Sequence, residues 1–540
     1  MRFRSPTRAA VAVLGSVLAV VAVTSMPATP VAAQVPPPPA AAGLGVSVPY
    51  RTEPVAPPTA EVTRADAGRT RQPVFVATTA ADGSFFRGSD AVTLTVDGPG
   101  ASAIFADPFA RNPVGTDAAT LPAQEGFAVF YVAHDTPGPV SYVGSLAATP
   151  AVTAAATGEV ADDVADHERA ATLSVEARVR PNGRYLVEVQ PRDLQGVVLR
   201  GAVPVELHAV GPGATALPGA TAGILPGAGT PSRVVAGPAL GGTLRVGFAV
   251  TGEVTLVAAV PAAGARPTLA FPVTGLRLPP SGGSAEPVVP TGDGLSVATY
   301  NVHAGAPQGL PYEPGAAEGV LAEMDADIAL LQEVDDDRSR SNGDDLTARW
   351  ATALGRTGVF APNLVVAPQV PGTDAAWYGT AALVDGPVRA AANLALPRPL
   401  FPDRNTEPRG LLSVTVGTPA GDVRVANTHL GLNRGERLLS AHAIRTQLDG
   451  PGAPVTLVGG DLNSVPGTAE IDLLASAPLY DAWAAAGVGP GFTFSALTPT
   501  ARIDYLLPRT DRTVTAVEVI STPASDHLPV LATLTSNPAP

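Results

Sequence analysis

After residue 294 the sequence contains short apolar runs that each adjoin a small group of polar residues. Apolar runs of about four to eight residues between turn residues predict buried strands. Because strand ends in one sheet lie side by side, the polar groups at these ends can converge on a single edge. The polar groups are Asn301 and His303, Gln332 and Glu333, Asn427 and His429, Asp461 and Asn463, Arg502 and Asp504, and Asp526 and His527.

Two helical stretches separate these predicted strands. Residues 314–324 begin with proline, which is favoured in the first turn of a helix. Residues 434–448 place Leu438, Ala441 and Ile444 on one stripe. Strand and helix therefore alternate around a buried sheet in the last part of the chain.

The residue types at the predicted strand ends support a narrow range of chemistry. Carboxylates from Glu333, Asp461 and Asp526, with amide oxygens from Asn301 and Asn463, are hard ligands suited to Mg²⁺, Mn²⁺ or Ca²⁺.

Two histidines, His429 and His527, can donate protons or hydrogen bonds to a phosphoryl oxygen. The chain has no cysteine, and none of the motifs pairs a serine with a base, so water is the expected attacker. Metal, carboxylate and imidazole together indicate hydrolysis of a phosphate ester.

Six motifs, TYNVHAG, LQEV, NTHL, GDLN, RIDY and SDH, occur in this order and resemble the endonuclease/exonuclease/phosphatase superfamily over residues 294–536. The resemblance implies an α+β domain built as a four-layer α/β/β/α sandwich, with metal-dependent phosphoesterase activity. Mg²⁺ is the expected cofactor, with Mn²⁺ or Ca²⁺ as alternatives. The expected partner is a phosphate-ester substrate, most simply a phosphodiester.

The resemblance also implies roles for individual residues. Asp504 would orient His527, and Arg409 is equally consistent with a substrate phosphate contact and a plain salt bridge. No carboxylate that orients His429 is evident, Glu407 being a weak candidate. The implied metal residues are Asn301, Glu333 and Asp526, and the implied catalytic residues are His429, Asp461, Asn463, Asp504 and His527.

The net charge of the last part of the chain distinguishes long nucleic acid from smaller phosphate esters as substrates. Residues 294–540 hold 15 Arg against 26 Asp and Glu, a net charge of −11, which disfavours a grip on long nucleic acid. An extracellular nuclease of the same fold remains an alternative within the enzyme class. From another class, a surface-binding protein with an inactive phosphoesterase scaffold remains open, although a scaffold has no need for so many polar strand ends.

The first residues of the sequence have the pattern of a secretory signal peptide. Three arginines precede an apolar run at 9–23, and small residues follow at 31–33, so residues 1–33 are interpreted as a signal peptide. We expect a secreted protein with no membrane span after cleavage. A Pro-rich linker is predicted at 34–47.

The middle of the chain predicts two tandem β-sandwiches of immunoglobulin-like size, at 48–160 and 161–278. Their segments alternate with period two, and Gly98-Pro99-Gly100 recurs 113 positions later as Gly211-Pro212-Gly213. A second linker is predicted at 279–293. Because the sequence of these modules shows no cluster of His, Asp or Glu that would indicate catalysis, they are expected to bind a surface or a polymer, or to act as spacers.

Overall fold

The computed structural model describes residues 40–537, apart from residues 85, 371 and 420 and the segments 250–251, 263–268, 279–293, 401–405 and 449–453. The predicted signal peptide, residues 34–39 of the first predicted linker and the whole of the second lie outside the described residues. Within them, no helix combines the length and hydropathy that a membrane span requires.

Residues 43–160 form two antiparallel sheets that pack face to face. Val76, Ile104 and Phe130 of one sheet meet Leu94 and Tyr142 of the other in a buried cluster. The strand orders are β1-β2-β7-β4-β5 and β6-β3-β8-β9. The strands are β1 Gly43–Ser47, β2 Arg71–Thr79, β3 Ala91–Asp97, β4 Ser102–Phe105, β5 Gly115–Thr116, β6 Ala118–Pro122, β7 Phe127–His134, β8 Gly138–Leu146 and β9 Thr153–Val160.

His134 is a buried structural histidine between these sheets. Its Nδ1 lies 3.0 Å from Ser102 Oγ, and its Nε2 lies 2.8 Å from the hydroxyl of Tyr142. Burial disfavours the charged imidazolium and lowers the pKa of His134 to about 4.

We expect His134 to make this part of the chain less stable in acid. Because the pKa is about 4 in the folded state and about 6.5 in the unfolded state, the unfolded state takes up a proton first as the pH falls. The stabilisation by neutral His134 is complete above pH 6.5 and falls by on the order of 3 kcal/mol as the pH drops to 4. Hydrogen exchange of the β7 and β8 amides at about pH 6.5 and 4.5 checks this. His134→Gln should reduce the acid-induced loss of protection, whereas His167→Gln should not.

Residues 161–278 contribute strands to two different sheets. One sheet has the order β13-β14-β12-β16-β17. The other three strands, β15, β11 and β10, begin an eight-stranded sheet that continues into strands from beyond residue 294. The strands are β10 Thr172–Val179, β11 Tyr185–Arg192, β12 Val203–Val210, β13 Thr221–Ile224, β14 Pro231–Ala239, β15 Leu244–Phe248, β16 Val254–Ala259 and β17 Val273–Leu278.

The described residues after 293 complete that sheet and form a six-stranded one. The orders are β15-β11-β10-β22-β23-β24-β25-β26 and β20-β21-β19-β18-β28-β27. The strands are β18 Leu295–Asn301, β19 Ile328–Asp336, β20 Thr357–Val366, β21 Ala376–Val384, β22 Val388–Ala395, β23 Gly410–Thr418, β24 Gly421–His429, β25 Val455–Asp461, β26 Asp504–Pro508, β27 Arg512–Val519 and β28 Val530–Ser536.

Short helices cover the outer faces of these two sheets. Alternate residues of a strand point to opposite faces, so Leu330 packs between the sheets while Leu331 packs against Trp350 of α4. On the other sheet, Val458 packs against Ile444 of α5. The helices after residue 293 are α3 Pro314–Met324, α4 Leu346–Leu354, α5 Arg434–Arg445, α6 Ala469–Leu474 and α7 Ala482–Ala486. Two earlier helices, α1 Arg64–Thr70 and α2 Asp166–Arg169, contact β2 and β12 instead.

The helix predicted at 314–324 is confirmed, with Pro314 in its first turn. The helix predicted at 434–448 ends at Arg445 instead. After it, the backbone N–H groups of Gln447 and Leu448 donate to the carbonyls of Ile444 and Arg445, so residues 446–448 form tighter turns than an α-helix. Strand β1 falls inside the segment predicted as the first linker, where it pairs with β2.

The module strands are joined to the last part of the chain by backbone pairing and by buried charge. β10 pairs with β22 over six residue positions. Arg277 of β17 forms a largely buried ion pair with Asp336 of β19 and a more exposed one with Asp345 at the start of α4, and its guanidinium lies over the ring of Phe360. Breaking a buried ion pair leaves an uncompensated charge, so these contacts tie β17 firmly to β19.

Candidate functional site

Strand register brings three of the predicted site residues to the same level of one sheet. His429 is opposite Asp461 in the parallel pair β24–β25, and Asp461 is opposite Asp504 in the antiparallel pair β25–β26. All three are buried. In the other sheet, Asn301 is the last residue of β18, and Glu333 lies within β19 where its pairing with β21 shifts register. The polar residues at these strand ends therefore meet at one edge, where the two sheets face each other.

A break in β19 turns Glu333 toward this edge. The pairing of β19 with β21 shifts register between Leu331 and Val334, and Glu333 has a φ of 58°. A bulge that re-aims a side chain is common beside functional sites, and left-handed backbone at a non-glycine residue costs on the order of 1–3 kcal/mol. The packing around β19 maintains this strained conformation, which presents the carboxylate to the site.

Gly460 lets β25 approach β24 closely just before Asp461. Its φ is 148°, and a Cβ at this position would lie 1.9 Å from the carbonyl oxygen of Thr428. Only glycine fits such a backbone contact. The glycine of the GDLN motif is therefore a steric requirement for placing Asp461.

One oxygen of Asp461 is the centre of the site. Its Oδ2 accepts a hydrogen bond from Asn301 Nδ2 at 3.0 Å, and it lies 3.4 Å from His429 Nε2 and 3.6 Å from His527 Nε2. The other oxygen, Oδ1, accepts from the backbone N–H of Asn463 at 2.9 Å. Burial, reinforced by the nearby charge of Asp504, raises the pKa of Asp461, so this carboxylate is able to accept a proton near neutral pH.

His527 is held as a cation by its neighbours. Its Nδ1–H donates to Asp504 Oδ2 at 2.9 Å, which leaves Nε2–H directed toward Asp461. Burial opposes the charged form, but Asp504, Asp461 and Asp526 outweigh it and raise the pKa of His527 to about 10. The loop before β26 supports this pair, because Thr493 Oγ1 accepts hydrogen bonds from the backbone N–H groups of Ile503 and Asp504.

His429 has the opposite electrostatic environment. Arg409, which the sequence left between a phosphate contact and a salt bridge, is buried and directs Nη1 at His429 Nδ1 from 3.1 Å. Since a guanidinium can only donate, Nδ1 accepts and the imidazole proton lies on Nε2. Burial, together with the charges of Arg409 and His527, lowers the pKa of His429 well below its usual value. Glu407 pairs with Arg409 at 3.0 Å rather than with His429.

We expect Arg409→Gln to change the protonation of His429. Glutamine keeps an amide donor but removes the positive charge, so the pKa of His429 should rise. Histidine ¹⁵N NMR as a function of pH should show a neutral Nε2–H ring in the wild type and protonation of the ring at a higher pH in the variant than in the wild type. Turnover should fall by about 10- to 100-fold, as for other residues that orient catalytic groups. An unchanged ring titration would contradict this assignment.

Three predicted residues, Glu333, Asn463 and Asp526, make no direct contact with Asp461 Oδ2. Asn301 links the two sides, because its Nδ2 also lies 3.2 Å from Glu333 Oε1. Asn463, with a φ of 49°, donates from its side chain to the carbonyl of Leu430. Asp526 is half-buried, and its Oδ1 lies 3.9 Å from His303 Nδ1.

A buried polar network beneath the site was not predicted from the sequence as functional. Gln332 Nε2 donates to Thr299 Oγ1 and to Asn427 Oδ1, and Asn427 Nδ2 donates to the carbonyls of Leu331 and Ala381. These bonds join the two sheets just below the strand ends. Both residues occur within the motif segments, and polar side chains at the ends of otherwise apolar runs are the signal that could have identified them.

The donor set fits a divalent cation on the Glu333 side of the site. Within the residues that the structure describes, neither Glu333 nor Asp526 forms an ion pair with arginine, and Asn301 connects Glu333 to buried Asp461. Carboxylates without an arginine partner are available to coordinate Mg²⁺ or Mn²⁺. Asp461, Asp504 and His527 also place ligand atoms within 4.8 Å of one another. The hydrogen bond between Asp504 and His527 already uses Nδ1, so this second group acts better as a hydrogen-bonding cluster.

The comparisons with known proteins concern this part of the chain. Residues 298–527, which contain every predicted site residue, match the model of the Endonuclease/Exonuclease/phosphatase family. An endonuclease/exonuclease/phosphatase from Beutenbergia cavernae DSM 12333 is 26% identical, with 46% of this chain and 73% of that chain covered and a TM-score of 0.36.

Two further solved structures cover a similar share of the chain. A mannosyl-6-phosphatase from Bacteroides thetaiotaomicron VPI-5482 is 19% identical, with 45% of this chain and 99% of that chain covered and a TM-score of 0.35. D. rerio TDP2 complexed with a single-strand DNA product is 17% identical, with 45% and 100% covered and a TM-score of 0.34. No match was found among curated proteins.

Proposed function

We propose that this protein is a secreted, divalent-metal-dependent phosphodiesterase. Residues 298–527 belong to the endonuclease/exonuclease/phosphatase family, whose members are hydrolases of the nuclease and phosphatase type, and this supports the hydrolase class. The observation that carries the proposal is the convergence of Asn301, His429 and His527 on Asp461 Oδ2. Three N–H donors at one point form a ready site for the oxygens of a phosphate.

Different residues of the site accept the proton, orient the attacking water and stabilise charge during in-line hydrolysis. Asp461 accepts a proton from the attacking water, consistent with its raised pKa. Asn463 orients that water, while the Nε2–H groups of neutral His429 and cationic His527 stabilise the charge that develops on the phosphoryl oxygens.

Glu333 and Asp526, with Asn301 once its amide oxygen turns toward them, would hold the cation. A bound Mg²⁺ would polarise a phosphoryl oxygen and lower the pKa of a bound water. Mn²⁺ and Ca²⁺ suit the same oxygen donors.

The proposed activity is tested with bis(4-nitrophenyl) phosphate, supercoiled plasmid and 4-nitrophenyl phosphate, each with and without Mg²⁺ or Mn²⁺. We expect metal-dependent cleavage of the diester to exceed cleavage of the monoester. Preferential cleavage of plasmid would favour an extracellular nuclease instead. No cleavage and no heat of binding in a Mn²⁺ titration would favour the inactive-scaffold alternative.

Secretion is proposed from the sequence pattern at residues 1–33. Expression of the full chain in a bacterial host should yield mature protein outside the cytoplasm, with its amino terminus close to residue 34. Retention of Met1 on protein that stays in the cytoplasm would contradict this part of the proposal.

A further inference from the structure

A cavity of about 760 Å³ lies outside the candidate site, where the module region meets the end of helix α5. It is lined by residues of α1, by parts of the segments 164–169 and 192–202, and by Thr446. Thr446 directly follows α5, whereas His429 lies before the start of this 12-residue helix, which is about 18 Å long. The volume is in the range of pockets that bind small molecules, and none of the lining residues was predicted to belong to the candidate site.

Two buried arginines bring positive charge to the wall of this cavity. Arg192 is 9% exposed, and it donates from Nη1 to the carbonyl of Gly196 at 3.1 Å and from Nη2 to Gln190 Oε1 at 2.8 Å. Both acceptors are neutral, and Nε of Arg192 has no hydrogen-bond partner within the residues that the structure describes. Nε and Nη1 of Arg169, which is 1% exposed, have no partner in that part of the chain either. Because a buried charge without a counter-charge and a full set of hydrogen bonds is costly, this wall favours a bound anion.

The acidic side chains beside these arginines compensate their charge only in part. Asp166 forms an ion pair with Arg169. Asp193 Oδ1 accepts hydrogen bonds from the backbone N–H groups of Gln195 and Val197 instead. Burial raises the pKa of Asp193 to about 7, so this carboxyl group is only partly charged at neutral pH.

The exposed residues at the cavity have the same bias toward positive charge. Arg69 and Arg200 are exposed there, against one exposed acid, Asp66. Arg69 pairs with Glu53 at 2.8 Å, whereas Arg200 forms no ion pair within the described residues. The complete lining holds four Arg and three Asp, so its net charge is positive even when every carboxylate is ionised.

We propose that this cavity binds a small organic anion, whose carboxylate or phosphate group pairs with Arg192 and Arg200 while its apolar part packs against Val197 and Val198. Guanidinium groups suit the oxygens of either anionic group. Because the cavity is lined by residues of both modules and by the residue after α5, the bound anion should also stabilise the folded chain. The inference does not depend on the proposed phosphodiesterase activity.

The test uses the full chain with 4-bromobenzoate and 4-bromophenylphosphonate, which carry the two anionic groups on the same ring, and with neutral 4-bromobenzamide. Calorimetry should show binding of at least one anion with a Kd of about 1 mM or lower, and no binding of the amide. The tighter of the two anions identifies the group that the natural ligand carries. In crystals soaked with that anion, the anomalous peak of bromine should lie inside the cavity.

Two arginine variants test the proposed contacts. Arg192→Gln removes the buried charge, so the affinity for the anion should fall by about tenfold or more. Arg200→Gln changes an exposed side chain, which the fold tolerates, and should lower the affinity by about two- to fivefold. Arg180→Gln is the matched control, since Arg180 is exposed between β10 and β11 and does not line the cavity.

His527→Ala separates this cavity from the candidate site and should keep the affinity for the anion. If His527→Ala loses binding while Arg200→Gln does not, the anion binds at the strand ends and the inference is overturned. Equal binding of the neutral amide, or no binding of either anion up to about 10 mM, would also overturn it. If Arg192→Gln does not fold, Arg200→Gln and the position of the bromine peak decide the question, and a peak outside the cavity contradicts the inference.

Discussion

Replacing Glu333 with glutamine is expected to reduce metal-dependent hydrolysis of bis(4-nitrophenyl) phosphate by about 10³-fold or more, because a catalytic cation lowers the activation barrier by several kcal/mol. The bulge in β19 aims this side chain at the site, and its Oε1 contacts Asn301. Glutamine keeps the size and the hydrogen bond to the amide but loses the charge that the cation needs. The affinity for Mn²⁺, measured by calorimetry, should fall with the activity.

Glu323→Gln is the matched control for this variant. Glu323 lies on the exposed face of α3, away from the site, so turnover and Mn²⁺ affinity should match the wild type. Circular dichroism and the melting temperature would show that Glu333→Gln is folded. If the folded variant kept more than about a tenth of its turnover, less than 1.4 kcal/mol would be lost, and Glu333 would not be a principal ligand.

Replacing His527 with alanine is expected to lower turnover by about 10²- to 10⁴-fold, the range for loss of a positioned proton or hydrogen-bond donor. Its Nε2–H is one of the three donors at Asp461 Oδ2, and Asp504 fixes its orientation. The loss should appear in kcat, because the donor serves the charge that develops during reaction.

The variant Asp504→Asn tests the hydrogen-bonded pair of His527 and Asp504 by changing the carboxylate instead of the imidazole. Asparagine cannot supply the negative charge that stabilises cationic His527, so turnover should fall in the same direction. Since the two residues act as a unit, the double variant should lose little more than His527→Ala alone. Fully additive losses would show that Asp504 acts independently of His527. His167→Ala, in a helix of the module region, is the control and should leave turnover unchanged.

The sequence predicted those helices and strands whose formation depends on neighbouring residues along the chain. Helix α3 was predicted from Pro314 near its start, and β18 from the apolar residues before Asn301. The convergence of the strand ends followed from the general geometry of sheets. The immunoglobulin-like connectivity of the modules and the role of each site residue stay predictions.

Other features depend on tertiary geometry that the residue pattern does not encode. The left-handed conformation of Glu333 arises where β19 shifts register against β21. The pairing of β10 with β22 joins segments more than 200 positions apart, and nothing in either strand specifies that partner. Arg409 could have been placed, because β23 and β24 form a hairpin that pairs Leu411 with Thr428 and so brings Arg409 near His429. Its effect on His429 depends on burial, which the motif alone does not show.

The central claim is that the strand ends of two sheets form one pocket that holds a divalent cation next to a phosphate. Anomalous diffraction from crystals grown with Mn²⁺ and a non-hydrolysable phosphodiester measures this directly. The account predicts a Mn²⁺ peak about 2.1 Å from a Glu333 carboxylate oxygen, with the phosphate within hydrogen-bond distance of Asn301, His429 and His527. A peak only at the acidic residues around Arg277, or a phosphate bound elsewhere, would contradict it.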